Sequence, residues 1–186
     1  HTELQDVDCI DVDNIRGAKN VVDRLIKAGH CRIGMINVLE NKDYTADRYA
    51  GYECAIEDAG IPVDPTLVIQ AENSVEGGCS AAKKLLATTR CTAIFCATDT
   101  MAIGVCKAAA EMGLRVPEDF SLAGFDGLGH HLLCTPHVTP VRQPVYEIGE
   151  RLAKTLLDRL DGSQKRICEL VVPEVVEGQS VETVPR

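Results

Sequence analysis

Positive charge is scarce in this chain: 19 Lys and Arg stand against 28 Asp and Glu, a formal net charge of −9. That balance excludes a basic footprint for DNA or RNA within these residues. Apolar runs are short too, and none approaches the roughly 18 residues that a membrane span needs. Residues 1–8 are polar and acidic, so no signal peptide is expected. Neither GxGxxG nor GxxxxGK[ST] occurs, which leaves nucleotide phosphates without a recognisable cradle. HExxH and the GxSxG elbow are absent as well. The nine cysteines include no CxxC pair and match no Cys/His zinc spacing. They read as reduced, mostly buried thiols of a cytoplasmic protein, because free Cys packs as a small hydrophobe. His130 and His131 are adjacent, and adjacent residues rarely share one ligand face, so they read as solvated loop histidines rather than a metal site. Asp47, Asp99 and Asp126 are candidate acid/base groups. Nothing supplies a nucleophile or an activated water beside them, so neither an enzyme nor a cofactor is expected.

What is present is alternation. The 186 residues make about one domain, long enough to bury roughly 70% of the unfolded chain's surface. Asp13 and Asn14 signal a helix start, followed by Ile15, Ala18, Val21, Val22, Leu25 and Ile26 at helical spacing, with Gly29 as the stop. Residues 32–39 read as a buried strand. A second helix is expected over about 46–59, with Tyr52, Ala55, Ile56 and Ala59 inward and Gly60 ending it. Strands follow at 66–71, 92–97 and 120–125. Between them run a helix capped by Ser74, carrying Cys79, Ala82, Leu85 and Leu86, and one capped by Asp99, carrying Met101, Ala102, Val105, Ala109 and Met112. Residues 126–136 form a polar loop. Pro144 fits the first helical position after 138–141, and Ile148, Leu152, Leu156, Leu157 and Leu160 form the next apolar stripe. A last strand is expected over 169–176, where Pro173 removes a ladder donor and places it at an edge or a bulge. Strands alternating with helices of about a dozen residues mean an α/β fold with a mostly parallel sheet.

The helix starts carry a functional hint. Polar residues follow the apolar runs at Asn73 and Ser74, at Thr98 and Asp99, at Asp126, and at Gln143. A parallel sheet brings the carboxyl ends of its strands to one rim, where ligands collect. Polar side chains repeated at that rim read as a small-molecule cleft.

Several segments resemble the LacI/GalR family of transcriptional regulators. They are DVDNIRGA with LIKAGHCRIGMI, then ADRYAGYECAIEDAGI, TAIFCATDTMAIGV, GLRVPEDFSLAGFDGL and TPHVTPVRQPVYEIG. The match runs in order over about residues 7–175. The resemblance implies a three-layer, periplasmic-binding-protein-like type I domain: two α/β subdomains joined by three crossovers, with the ligand between them. It also implies a chain truncated at its N-terminus, without a DNA-binding headpiece. Residues 1–37 and 143–162 would then be the remnant of the N-terminal subdomain, and 38–142 with 163–186 the C-terminal one. The remnant should expose apolar surface.

By position in the family motifs, Arg48 matches the arginine that contacts the effector; a guanidinium fork suits paired sugar hydroxyls or a carboxylate. Asp126 matches the effector-binding aspartate after the GF strand; its structural alternative is a turn former with Gly127. Thr98 stands where many members have Asn, and Asn73 where several place a stacking aromatic; both are carried over as ligand-binding positions. Tyr44 is a further candidate at the cleft lip. Gln143 serves equally as a hinge residue or a contact. The resemblance implies a sensor for a small polar effector, of sugar type, which reaches an operator only through the absent headpiece. It implies a homodimer in the full-length protein and no membrane. The alternatives are a solute-binding protein of an ABC-type uptake system and a regulator that answers to a protein corepressor. Arg48→Ala is expected to remove ligand contacts and no core.

Overall fold

The computed structural model describes residues 7–39, 42–163 and 165–184. The chain opens, within those residues, on β1 (Cys9–Val12), which pairs in parallel with β7 (Cys168–Val171) in a two-stranded sheet. Asp13 then caps α1 (Asn14–Lys27), its carboxylate accepting from the Arg16 amide at 2.9 Å. Ala18, Val21, Val22 and Leu25 of α1 are fully buried. Gly29 ends the helix at φ +98°, a conformation that costs residues with a Cβ.

Next come β2 (Ile33–Val38), α2 (Asp43–Asp58), β3 (Val68–Ala71), α3 (Val75–Thr89), β4 (Ala93–Cys96), α4 (Asp99–Met112), β5 (Ser121–Asp126) and β6 (Thr139–Arg142). α5 (Val145–Leu160) leads to β7, and β8 (Glu174–Val175) follows. The larger sheet has the order β3-β2-β4-β5-β6-β8, parallel except for β8. β2 and β4 are buried along their whole length, as expected of parallel strands covered on both faces. α1 packs on α2, and α3 on α4. The second contact is close: a Cβ on Gly104 would stand 2.2 Å from the Val75 carbonyl oxygen, and one on Gly78 2.4 Å from that of Met101. Buried His30 joins two strand starts through Thr92 Oγ1 at 3.0 Å and Ser121 Oγ at 2.9 Å.

Most expected elements lie within three residues of their places; α2 begins earlier, at Asp43. Other expectations need correction. The last strand is two strands in two sheets, broken at Pro173, with β7 on β1 and β8 antiparallel to β6. The boundary of the two layers also falls elsewhere. Residues 13–37 pack with the larger sheet, because α1 buries its apolar face there and β2 lies inside that sheet. Residues 168–171 leave the larger sheet for β1. The chain therefore passes between the sheets near 12–14, 142–145 and 171–174. Thr98, not Asp99, caps α4, its hydroxyl accepting from the Met101 amide at 3.3 Å. Ala59 and Met112 are exposed, since the last helical turns run past the sheet. A 3-10 turn, His130–Leu133, interrupts the polar loop. The cysteines divide: Cys79, Cys91, Cys96 and Cys134 are buried, while Cys9, Cys31 and Cys168 are exposed. The polar start of residues 1–6, His1 included, lies outside the described residues.

α5 has little to rest on. Its inner side meets β1, yet Leu156 and Leu157 are each 61% exposed and Leu160 is 76% exposed. With Leu152 they give α5 an exposed apolar side of the kind that drives association.

Two outcomes follow from this packing. Gly104→Ala forces helix backbones apart and should cost about 1–3 kcal/mol of stability in urea titrations. The 186-residue chain should self-associate with rising concentration in sedimentation velocity, and Leu156→Glu with Leu160→Glu should reduce that association.

Candidate functional site

The carboxyl ends of β2, β3, β4, β5 and β6 rise to one rim. β2 sits between β3 and β4, so the strand order reverses there, the position at which parallel sheets open a crevice. The end of β1 faces it from the smaller sheet, and the start of α1 lies at the passage between the two. The resulting cleft holds about 480 Å³, within the roughly 300–1,000 Å³ typical of small-molecule sites. Arg48, Asp126, Thr98, Asn73 and Tyr44 all line it, together with Asn14 and Gln143. The five positions picked from the sequence thus share one cavity.

Arg48 projects from α2 and is only 4% exposed. Its Nε donates to Asn14 Oδ1 at 2.9 Å. Nη1 donates to the Ala97 carbonyl and, at 3.3 Å, to Asp126 Oδ1. The guanidinium carbon lies 3.6 Å from the centre of the Phe125 ring and 4.8 Å from that of Tyr44. Aromatic faces attract such a cation most strongly when it is desolvated. Burial works against the charge of Arg48, and Asp126 is its main electrostatic support. Nη2 makes no hydrogen bond among the described residues, so the edge of the guanidinium, not its faces, is left for a ligand. The expectation for Arg48→Ala is corrected here. The side chain is part of the core, and deleting it would strand the Asn14 and Ala97 oxygens and the Asp126 carboxylate.

Asp126 ends β5 in an unusual backbone conformation, φ +120°, and Gly127 follows at φ +64°. Non-glycine residues with positive φ are uncommon and cluster where function requires a particular aim. Gly127 has no room for a side chain: a Cβ would stand 2.5 Å from Arg142 Cα. The turn is held on its β6 side, where the Gln143 amide donates to the Asp126 carbonyl at 2.9 Å. Gln143 Nε2 also donates to Asp126 Oδ1 at 2.7 Å. Both side-chain contacts use Oδ1, and the Asp99 backbone N–H adds support to the carboxylate. Burial pushes the Asp126 carboxyl above its ordinary range even with Arg48 beside it.

Further along the same rim Thr98 Oγ1 donates to Asn73 Oδ1 at 2.7 Å. The two departures from the family pattern are therefore partners of each other. Thr98 is spent on capping α4 and on holding Asn73, which is exposed at the rim. Tyr44 is half-buried in the first turn of α2 and covers the guanidinium, so it is a wall of the cleft rather than a loose lip.

Asn14 and Gln143 were under-read in the sequence. Asn14 registers there only as a helix start, yet it is buried, donates to the Val12 carbonyl at 3.2 Å and orients Arg48. Gln143 is a contact within the site as well as a residue at a passage between sheets. His131 also departs from expectation. It is half-buried, and its Nδ1 stands 3.8 Å from Asp99 Oδ2. In a smaller groove between α5 and β1, Arg159 pairs with Asp8 at 2.7 Å and Arg151 with Glu169.

A family model described as a periplasmic binding protein-like domain matches residues 22–181. Among curated relatives, the HTH-type transcriptional repressor CytR of Escherichia coli (strain K12) is 36% identical over 170 residues, 88% of this chain and 50% of the relative. The chain spans about half the length of the curated relatives it matches. Among solved structures, a LacI family transcriptional regulator from Enterococcus faecium with bound ribose superposes with a TM-score of 0.87 at 26% identity, covering 96% of this chain and 67% of that one. The transcriptional regulator CelR in complex with cellobiose gives 0.85 at 31% identity, covering 94% and 54%. The chain belongs to the periplasmic binding protein-like family, as an effector-binding domain of the LacI type.

Proposed function

We propose that this chain is the sensing domain of a LacI-type transcriptional regulator, and that a small polar molecule of the sugar class binds between its two sheets. The observation that carries the reading is the pairing of Arg48 with Asp126 inside the cleft. Arg48 Nη2 offers donors and the Asp126 carboxylate an acceptor, a set suited to vicinal hydroxyls. A carboxylate that accepts from neutral hydroxyls holds a polyol without requiring a charged ligand. Ribose and cellobiose occupy two structural neighbours, which supports the same ligand class here.

A ligand that touches both sheets stabilises one angle between them more than another. The chain crosses between the sheets near 12–14, 142–145 and 171–174, so a change of angle reaches the residues preceding β1. Coupling of this kind requires unequal affinity for the two angles. DNA binding would belong to a segment preceding this chain, in a cytoplasmic homodimer. The repressor relatives favour this reading over a solute-binding protein of an ABC-type uptake system. They favour a regulatory domain over an enzyme as well.

Calorimetry on the full-length protein with a panel of sugars tests the site. Asp126→Asn keeps the shape and the Gln143 contact but loses the charged acceptor. It should weaken binding about 10- to 100-fold, since hydrogen bonds to charged groups are worth about 1.5–3 kcal/mol. Unchanged affinity in Asp126→Asn would remove the cleft from consideration. Affinity in the wild type should also fall as pH is lowered through the Asp126 pKa, which lies above the usual 3.8, because the protonated carboxyl accepts less strongly. Arg48→Ala should lose binding together with about 3–5 kcal/mol of stability, the cost of breaking a buried pair, as read by thermal and urea unfolding.

A further inference from the structure

Asp99 is a buried carboxylate that the cleft does not use directly. It is 1% exposed and opens α4 without capping it. Its Oδ2 accepts from the Gly127 amide at 2.9 Å. Its Oδ1 has no hydrogen-bond partner among the described residues. That oxygen lies so close over β5 that a Cβ on Gly124 would stand 2.6 Å from it. His131 Nδ1, also buried and without a partner, faces it at 3.8 Å from Oδ2. An unpartnered carboxylate oxygen in such a place is costly, and the fold keeps it at the back of the turn where, alone among the described residues, two consecutive residues hold positive φ.

That turn carries the acceptor of the proposed site. At φ +120° Asp126 gains nothing from intrinsic backbone preference, whereas Gly127 accepts +64° freely. The turn persists because its two ends are tied: the Asp126 carbonyl to the Gln143 amide, and the Gly127 amide to Asp99. Releasing the second tie would let the backbone relax and swing the Asp126 carboxylate away from Arg48.

We propose that Asp99 is the positioning residue of the cleft, its carboxylate locking the Asp126–Gly127 turn, and that proton uptake by Asp99 loosens the aim of Asp126. The consequence for binding rests on the effector reading above; the lock itself does not. Burial pushes Asp99 up to about 7, and the neighbouring Asp126 adds to that, while the Gly127 amide and Arg48 oppose it. The other groups facing Asp99 are the thiol of Cys96 on β4 and, from the loop after β5, the Cys134 thiol and the His131 ring, whose protonation burial disfavours. Above about pH 7 the Gly127 amide meets a carboxylate; below it, a neutral acid, to which hydrogen bonds are roughly half as strong. Stability runs the other way. A carboxyl whose folded pKa is raised contributes most below its unfolded value of 3.8, and that contribution is lost as pH rises through about 7. Ionised Asp99 therefore sharpens the site at a cost to the fold.

The test uses the full-length protein without ligand, labelled with carbonyl-13C aspartate and 15N-glycine. Only Asp126–Gly127 and Asp161–Gly162 within this chain then give Asp–Gly correlation signals, and loss of one signal in Asp161→Glu assigns them. In the wild type the Gly127 amide proton should shift downfield with rising pH, with a midpoint near 7. Asp99→Asn keeps an acceptor and the shape but no titrating proton. Its Gly127 signal should lose the transition near pH 7, with exchange protection within about threefold of the wild type. Asp99→Ala should speed exchange at Gly127 about tenfold or more, the equivalent of one lost hydrogen bond. Should Asp99→Ala fail to fold, the pH series of Asp99→Asn decides alone. A Gly127 signal that titrates as strongly in Asp99→Asn as in the wild type, or unchanged protection in Asp99→Ala, overturns the proposal. No sugar enters these measurements, so a failed sugar panel leaves this result standing.

Discussion

Arg48 joins the parts of this domain. One buried guanidinium reaches Asn14 at the start of α1, the carbonyl after β4 and the carboxylate at the end of β5, and it lies flat on Phe125. Three segments distant in sequence are thereby fixed relative to α2. A cation in that position is tolerable only with a nearly complete set of acceptors, and the fold supplies them from backbone and side chain alike. The same group that closes the core leaves one nitrogen toward the cleft. Packing and recognition are in this way two uses of one side chain.

Around that centre the molecule carries local costs. Asp126 holds an unfavourable backbone conformation, Asp99 a buried carboxyl with an unpartnered oxygen, and His131 an unpartnered ring nitrogen. Asp126 ends β5 in the cleft wall, while Asp99 at the start of α4 and His131 in the loop after β5 lie behind it. Local strain concentrated at one rim, over a sheet whose interior is apolar and fully buried, is the distribution expected of a binding site on a stable scaffold. α5 is a different case. Its leucines lie on the far layer, remote from the cleft, and reflect a small two-stranded sheet that cannot cover them.

Much of the site was legible because the family pattern and the physics of parallel sheets point to the same positions. Residues following strands collect at one rim, and Arg48, Asp126, Thr98, Asn73 and Tyr44 meet there. What each side chain does was harder to read. Arg48 read as a ligand contact outside the core and is also a core cation. Asp99 looked like a helix cap, because Asp and Thr are both good caps and the sequence offers them side by side; the structure gives the cap to Thr98 and the Gly127 amide to Asp99. Asn14 carried no signal beyond a helix start.

The sequence by itself determined the local elements and their order. Apolar spacing marks each helix, apolar runs mark the buried strands, and glycines mark the stops, all of which depend on neighbours a few residues away. Only the tertiary structure decided which sheet each strand joins, where the two layers part, and which carboxylate meets which donor. The residues on either side of Pro173 have similar local character, yet they pair with β1 and β6 in different sheets. Pairings of that kind depend on contacts between residues 32 to 159 positions apart, and no local pattern encodes them.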